Sequence, residues 1–370
     1  MKSPLRVAWM VLLCGAVCVS LAGCSGEPLK LQWAFSSNAP IYSTPSVSSN
    51  LILFGNENGM VTAIDKNGNY KWNYTASMNV ISSPAVYNDR VFFGSVNYSM
   101  YSVDLQGREV WRYPTRKPIK SDPLIKDGIL YFSSYDGHIY AVRPEDKSTV
   151  WTYPSRQVQK PAGEEPGAEP AEPQIVPAEF SYSSPVISGN VLYVGNLDGN
   201  LYAVDVTSGK LRWRFKTGDG VTSTPAVENG IVYFGSNDNN VYAVDESGKK
   251  VWAFKTGAWV NASPRVKDGV VYIGSHDKNF YLLDAKTGAV KNKFTTTGQI
   301  IAIPALYKNY IILCAGQGDG SIYVLENPSL KVLFKYTTGA KIEADPVISG
   351  DTLYVASHDK QLYSFKINLK

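Results

Sequence analysis

The chain is poor in the residues that most chemistry needs. It has four cysteines and three histidines in 370 residues. Three of the cysteines, Cys14, Cys18 and Cys24, fall within the first 24 residues. Cys314 remains alone in the apolar run IILC, where it reads as a small buried hydrophobe. No disulfide framework can form in the rest of the chain, so the fold must stand on packing. His138, His276 and His358 each lie near the turn between the second and third strands of a repeat. Nothing in the sequence brings them together, which leaves a His-based zinc centre or a Ser-His-Asp nucleophile with little support. Charge of one sign is lacking too. Thirty-six basic residues face 32 acidic ones, a net of +4, and no arginine-rich stripe is present. A nucleic-acid partner is not expected of such a chain. Finally, beyond the first segment no long stretch has a 3.6-residue apolar period, so helix should be nearly absent.

What is present begins with a leader. Lys2 and Arg6 precede an apolar stretch, and Leu21-Ala22-Gly23-Cys24 resembles the lipobox of bacterial lipoproteins. A plain cleaved or uncleaved signal is the alternative, though it would need no cysteine. On the lipoprotein reading residues 1–23 are a signal peptide, Cys24 carries acyl chains, and 24–27 form a short tether. Multiple chains give stable attachment without a membrane span. In a Gram-negative envelope, Ser25 rather than Asp resembles a signal for the outer membrane.

After the leader, one phrase recurs eight times. Its prolines are Pro45, Pro84, Pro123, Pro185, Pro225, Pro264, Pro304 and Pro346. Tyrosine follows 17 residues later at Tyr101, Tyr140, Tyr202, Tyr242, Tyr281 and Tyr363; Thr62 and Tyr323 hold that place in the first and seventh copies. Tryptophan comes next at Trp72, Trp111, Trp151, Trp213 and Trp252, with Asn292 and Phe334 in later copies. Each copy reads as four short strands joined by turns. Such a meander cannot bury both faces alone, but stacking copies around an axis can. The expected fold is all-β: an eight-bladed β-propeller of four-stranded antiparallel blades over residues 28–370. The blades are read as about 36–74, 75–113, 114–154, 179–215, 216–254, 255–295, 296–337 and 338–370. The eighth copy stops before a fourth strand, and an orphan fourth-strand segment, LKLQWAF, stands at the other end. Residues 28–35 should therefore close the ring, which needs no partner copy and is expected as a monomer. The repeat tryptophans read as packing between blades. The aspartates Asp65, Asp104, Asp205, Asp245 and Asp284 read as turn residues, and small residues such as Gly195 and Gly235 as answers to crowding.

Two features break the pattern. Between Trp151 and Pro185 lies a surplus holding repeated prolines and Glu164, Glu165, Glu169 and Glu172. This insertion, 157–178, is either a tolerated loop or an acidic arm for a partner. Trp259 is the one tryptophan after the leader that stands off the repeat register. It is either a candidate binding anchor or local packing.

The repeats SSPAV…VFFGS…YSVD and STPAV…VYFGS…YAVD…GKKVW resemble those of pyrroloquinoline-quinone-like (PQQ-like) propellers over essentially residues 28–370. As a lipoprotein of eight blades, the chain most resembles the outer-membrane protein assembly factor family known as BamB. That resemblance implies a non-enzymatic periplasmic scaffold. Its implied partner is the outer-membrane β-barrel assembly machinery. Catalytic, cofactor-binding and metal residues are expected to be none. The alternatives are a generic envelope ligand- or protein-binding propeller, acting as a sensor or carbohydrate binder, and a quinoprotein dehydrogenase. Against the last, the chain after the leader has no adjacent cysteines and no C-x-x-C-H.

Overall fold

In the computed structural model, which describes residues 26–48, 50–155 and 183–370, the repeats form eight separate four-stranded sheets. All pairings are antiparallel, and no helix occurs among the described residues. Blade five shows the plan. Ala226–Glu228 is the inner strand, followed outward by Ile231–Gly235, Asn240–Asp245 and Lys250–Lys255. The two middle strands have no exposed residue, because sheets cover them on both faces. The outer strand alternates exposed and covered residues, as a one-sided strand must.

The eighth blade is completed by the other end of the chain. Leu29–Ser36 pairs with Gln361–Ile367, beginning at Leu29 opposite Ile367 and ending at Ser36 opposite Gln361. A bulge sits one residue before Trp33. The outer strands of the other blades bulge at the same level, as between Ala243 and Val244 opposite Trp252. The N-terminal segment thus has the register of a true fourth strand. The sequence expectation of ring closure is met.

The core is not one mass but eight seams, each between consecutive blades. One seam joins Tyr233, Val241 and Trp252 of blade five to Val260, Val271 and Tyr281 of blade six. Another joins Ile52 and Phe54 of blade one to Tyr354 and Leu362 of blade eight, which closes the circle. Small residues mark the tightest approach. A Cβ on Gly195 would fall 2.5 Å from both Val221 Cγ1 and Val221 O.

Candidate functional site

The strand directions sort the loops onto two faces. One face carries the connections between blades and the turns between second and third strands. The other carries the turns after inner strands and those between third and outer strands. The residues that chemistry would recruit divide between these faces and the axis.

The tryptophans dock one blade onto the next. Trp252 Nε1 donates to Ala285 O of the following blade at 2.9 Å, and Trp72, Trp111, Trp151 and Trp213 make the same bond at 2.7–2.9 Å. Trp33 reaches Lys66 O at 3.2 Å. The indole lies on a glycine of the same turn. Gly248 has φ 82° and leaves no room for a Cβ against Trp213. Asn292 substitutes its amide, which donates to Pro328 O and Ser329 O. Phe334 faces blade eight, whose outer strand comes from the far end of the chain. No third-to-outer turn exists there to accept a bond, and Phe334 packs against Ile367 instead.

The aspartates at the third-strand ends accept turn N–H groups, as expected. Asp245 Oδ1 takes those of Ser247 and Lys249 at 2.9 and 3.0 Å. Asp205 is held at about 2 by Arg212 and by Ser208. A second aspartate series went unnoticed in the sequence. Asp136, Asp198, Asp238, Asp277, Asp319 and Asp359 each accept the hydroxyl of the tyrosine four residues on, at 2.6–2.7 Å. Asp238 and Asp277 also cap the preceding interblade loop through Gly218 N and Gly257 N. The signal was the fixed Asp-x-x-x-Tyr spacing.

Around the axis the S-S/T-P motif does two jobs. Its first serine latches the end of the second strand: Ser223 Oγ accepts from Gly235 N at 2.8 Å and donates to Gly235 O at 2.9 Å. The residue before proline passes a hydrogen bond to the next blade. Thr44 N donates to Ser83 Oγ, Ser83 N to Asp122 Oδ1, Asp122 N to Ser184 Oγ, and Ser184 N to Thr224 Oγ1. Thr224 N continues to Ser263 Oγ. Ile303 N donates to Asp345 Oδ1, and Asp345 N closes the circle on Thr44 Oγ1. The belt lacks the link from Ser263, because Ile303 offers no side-chain oxygen. Nearby, Arg265 Nε donates to Pro304 O at 2.6 Å. Burial pushes the Asp122 carboxyl up to about 6. Burial and the charge of Asp122 push Asp345 up to about 7, against the opposing pull of Ile303 N–H and Arg265.

Trp259 lies on the interblade-loop face with half its surface open, at 52%. Its carbonyl is fixed by His276 N at 2.9 Å and Ser275 Oγ at 3.2 Å, and its ring stands 6.1 Å from the His276 ring. The backbone is anchored while the indole faces outward. Burial lowers the His276 pKa, with Glu343 pulling the other way. Glu343 Oε2 is 3.3 Å from His358 Nε2, and Glu343 Oε1 is 2.7 Å from Lys341 Nζ. Burial would raise the Glu343 carboxyl, but these two neighbours leave it lowered. Glu343 is thus in contact with His358, while only its charge reaches His276. Among the described residues no group of three His, Cys, Asp or Glu is arranged to hold a metal. Cys314 is buried as read, and its thiol pKa is raised by burial. Cys24 and the acidic Glu164, Glu165, Glu169 and Glu172 lie outside the described residues.

Similar architecture occurs in proteins of very different origin. The crystal structure of the computationally designed Ika8 protein superposes with a TM-score of 0.76 at 15% identity, covering 91% of this chain and all of that one. The crystal structure of BamB from Moraxella catarrhalis superposes with a TM-score of 0.73 at 15% identity, covering 92% of this chain and 98% of that one. At such identity both establish the fold alone. No curated protein sequence matches the chain. The family model described as outer membrane protein assembly factor BamB matches residues 25–116, 84–214 and 168–299, which together span most of the propeller. By that match the chain belongs to the family of the outer membrane protein assembly factor BamB.

Proposed function

We propose that this ring serves outer-membrane protein assembly as a non-enzymatic scaffold, tethered to the periplasmic face of the outer membrane through Cys24, and that it docks on the β-barrel assembly machinery. The family match carries the first part of this reading. The chemistry of the repeats supports it. The aspartates, tyrosines and tryptophans that a catalyst would recruit are committed to turns, interblade caps and blade docking. What remains free is surface, and Trp259 is the exposed tryptophan on it, fixed in backbone and open in side chain. Exposed aromatics on rigid supports are common anchors of protein interfaces. The acidic insertion bearing Glu164, Glu165, Glu169 and Glu172 joins blades three and four, so it begins and ends at the same interblade-loop face; we assign it as a second contact for the partner.

Crosslinking in intact envelopes, followed by mass spectrometry, tests the reading. It should recover the central β-barrel assembly protein. Recovery of a transporter, a sensor or a glycan in its place would favour a generic binding module.

A further inference from the structure

We propose that the ring is held with one particular face against the lipid surface. That face carries the third-to-outer turns, and the Trp259 face points away from the membrane. This rests on the acylation of Cys24 proposed above.

Glu27 O accepts a hydrogen bond from Asn368 Nδ2 at 3.0 Å, and Pro28 O accepts one from Asn368 N at 2.9 Å. Leu29 is already fully buried in the seam between blades seven and eight. The chain is therefore tied to the ring from Glu27 onward. Only Ser25 and Gly26 separate that point from Cys24. A fully extended chain spans at most about 3.5 Å per residue, so Glu27 sits within roughly 10 Å of an acylated Cys24. A tether this short leaves the ring little freedom to turn over.

Strand direction then selects the face. The closing strand starts at Leu29, opposite the end of the third strand at Ile367, and runs toward the interblade-loop face, which it reaches at Ser36. Midway along it, Trp33 Nε1 meets Lys66 O in the third-to-outer turn of blade one. Trp259 occupies a connection between blades and so belongs to the opposite face.

The rim next to the tether has chemistry suited to a headgroup layer. Leu31 and Tyr70, on adjacent blades, are 43% and 54% exposed. Lys30 beside Leu31, Lys66 in the third-to-outer turn of blade one, and Lys370 just beyond the third strand of blade eight are exposed. Of the acids there, Asp65 and Asp351 are paired with Lys71 and Lys366, and Glu27 stands exposed at the tether. Lysines near an anionic leaflet are attracted to it, and a tyrosine with its polar tip suits the interface.

The test uses the full-length acylated protein in vesicles of phosphatidylethanolamine and phosphatidylglycerol with a nitroxide-headgroup lipid as quencher. A fluorophore is attached at Asn67→Cys, in the third-to-outer turn of blade one, or at Glu57→Cys, in the second-to-third turn of the same blade. Both positions are exposed, and the native Cys314 is buried and inaccessible to label. Quenching at residue 67 should exceed that at residue 57 several-fold. Equal or reversed quenching in a protein that incorporates labelled palmitate overturns the orientation while leaving the anchor standing. Failure to incorporate palmitate overturns both. Cys24→Ala should abolish quenching at residue 67; if that variant stays on the vesicles with the same pattern, the tether is not what orients the ring.

Discussion

Blades one to five and blades six to eight solve the same packing problem with different chemistry. The first five use a serine latch between the inner loop and the second strand, as Ser43 does with Gly55 and Ser223 with Gly235. The last three carry Ala262, Ala302 and Ala344 there, all buried. Blades one to five place an indole on the next blade, as blade eight does with Trp33, whereas blades six and seven have Asn292 and Phe334. The axial belt loses its one link in the same sector, at Ile303. In compensation, the seam between blades seven and eight is an extensive apolar cluster, gathering Leu29, Ile312, Val324, Phe334, Val355, Phe365 and Ile367. Directional bonds dominate the first five blades, and apolar contact dominates the seam between blades seven and eight. Closure accounts for one part of the difference, the replacement of an indole by Phe334. Where the ring is joined by strand pairing between chain ends, no hairpin turn is available to receive an indole, and hydrophobic contact takes over.

The largest effect should come from breaking the seam. Removing residues 28–35 while keeping the leader strips the outer strand from blade eight and Leu29 and Trp33 from two seams. Loss of cooperative melting for the whole ring is expected; an unchanged melting temperature would show that closure contributes little. Next come the first five blades. Trp252→Ala removes a buried indole and its bond to Ala285 O, which keeps only the Tyr233 hydroxyl as a side-chain donor, and the expected cost is about 3–5 kcal/mol by chemical denaturation.

Ser223→Ala sharpens the contrast more finely. It removes both bonds to Gly235 in a buried site, and the expected loss is about 1–2 kcal/mol. A loss well below that would mean that the alanine-bearing blades forgo nothing by lacking the latch.

A smaller effect should track pH. Asp122 and Asp345 have folded pKa values raised to about 6 and about 7, above the usual carboxylate value. The folded ring therefore holds protons that the unfolded chain releases. Their stabilising contribution is complete below about pH 4 and is lost as pH rises toward 7. Asp345→Asn keeps an oxygen for Ile303 N–H and removes the charge. It should raise the melting temperature at neutral pH and flatten its decline between pH 4 and 7. An unaltered profile would place the titration elsewhere. The turn aspartates act in the opposite direction. Asp205 and Asp284, held at about 2, favour the fold above about pH 4 and lose that effect under stronger acid.

Much of this was legible in the sequence, because a repeat shows its own period. Blade number, ring closure through Trp33, the docking role of the tryptophans and the turn role of Asp245 follow from spacing and turn chemistry. The axial belt did not. Each member is only the residue before a proline, and its partner lies 39 to 62 residues along the chain, or at the opposite terminus for Asp345 and Thr44. The contact of Glu343 with His358 was hidden too, since neither residue belongs to the recurring positions of the repeat. Trp259 was visible as an irregularity, but its exposure depends on the bonds that turn its backbone.

The ring's stability and its docking should be separable, and Trp259 offers the most direct test. Titration calorimetry would compare the purified ring and its Trp259→Ala variant against the β-barrel assembly protein, with melting temperatures measured in parallel. A lost interface anchor commonly costs about 2 kcal/mol, which is roughly thirty-fold in affinity. The account predicts a loss of that size with an unchanged melting temperature. Equal affinity for the two proteins would contradict it.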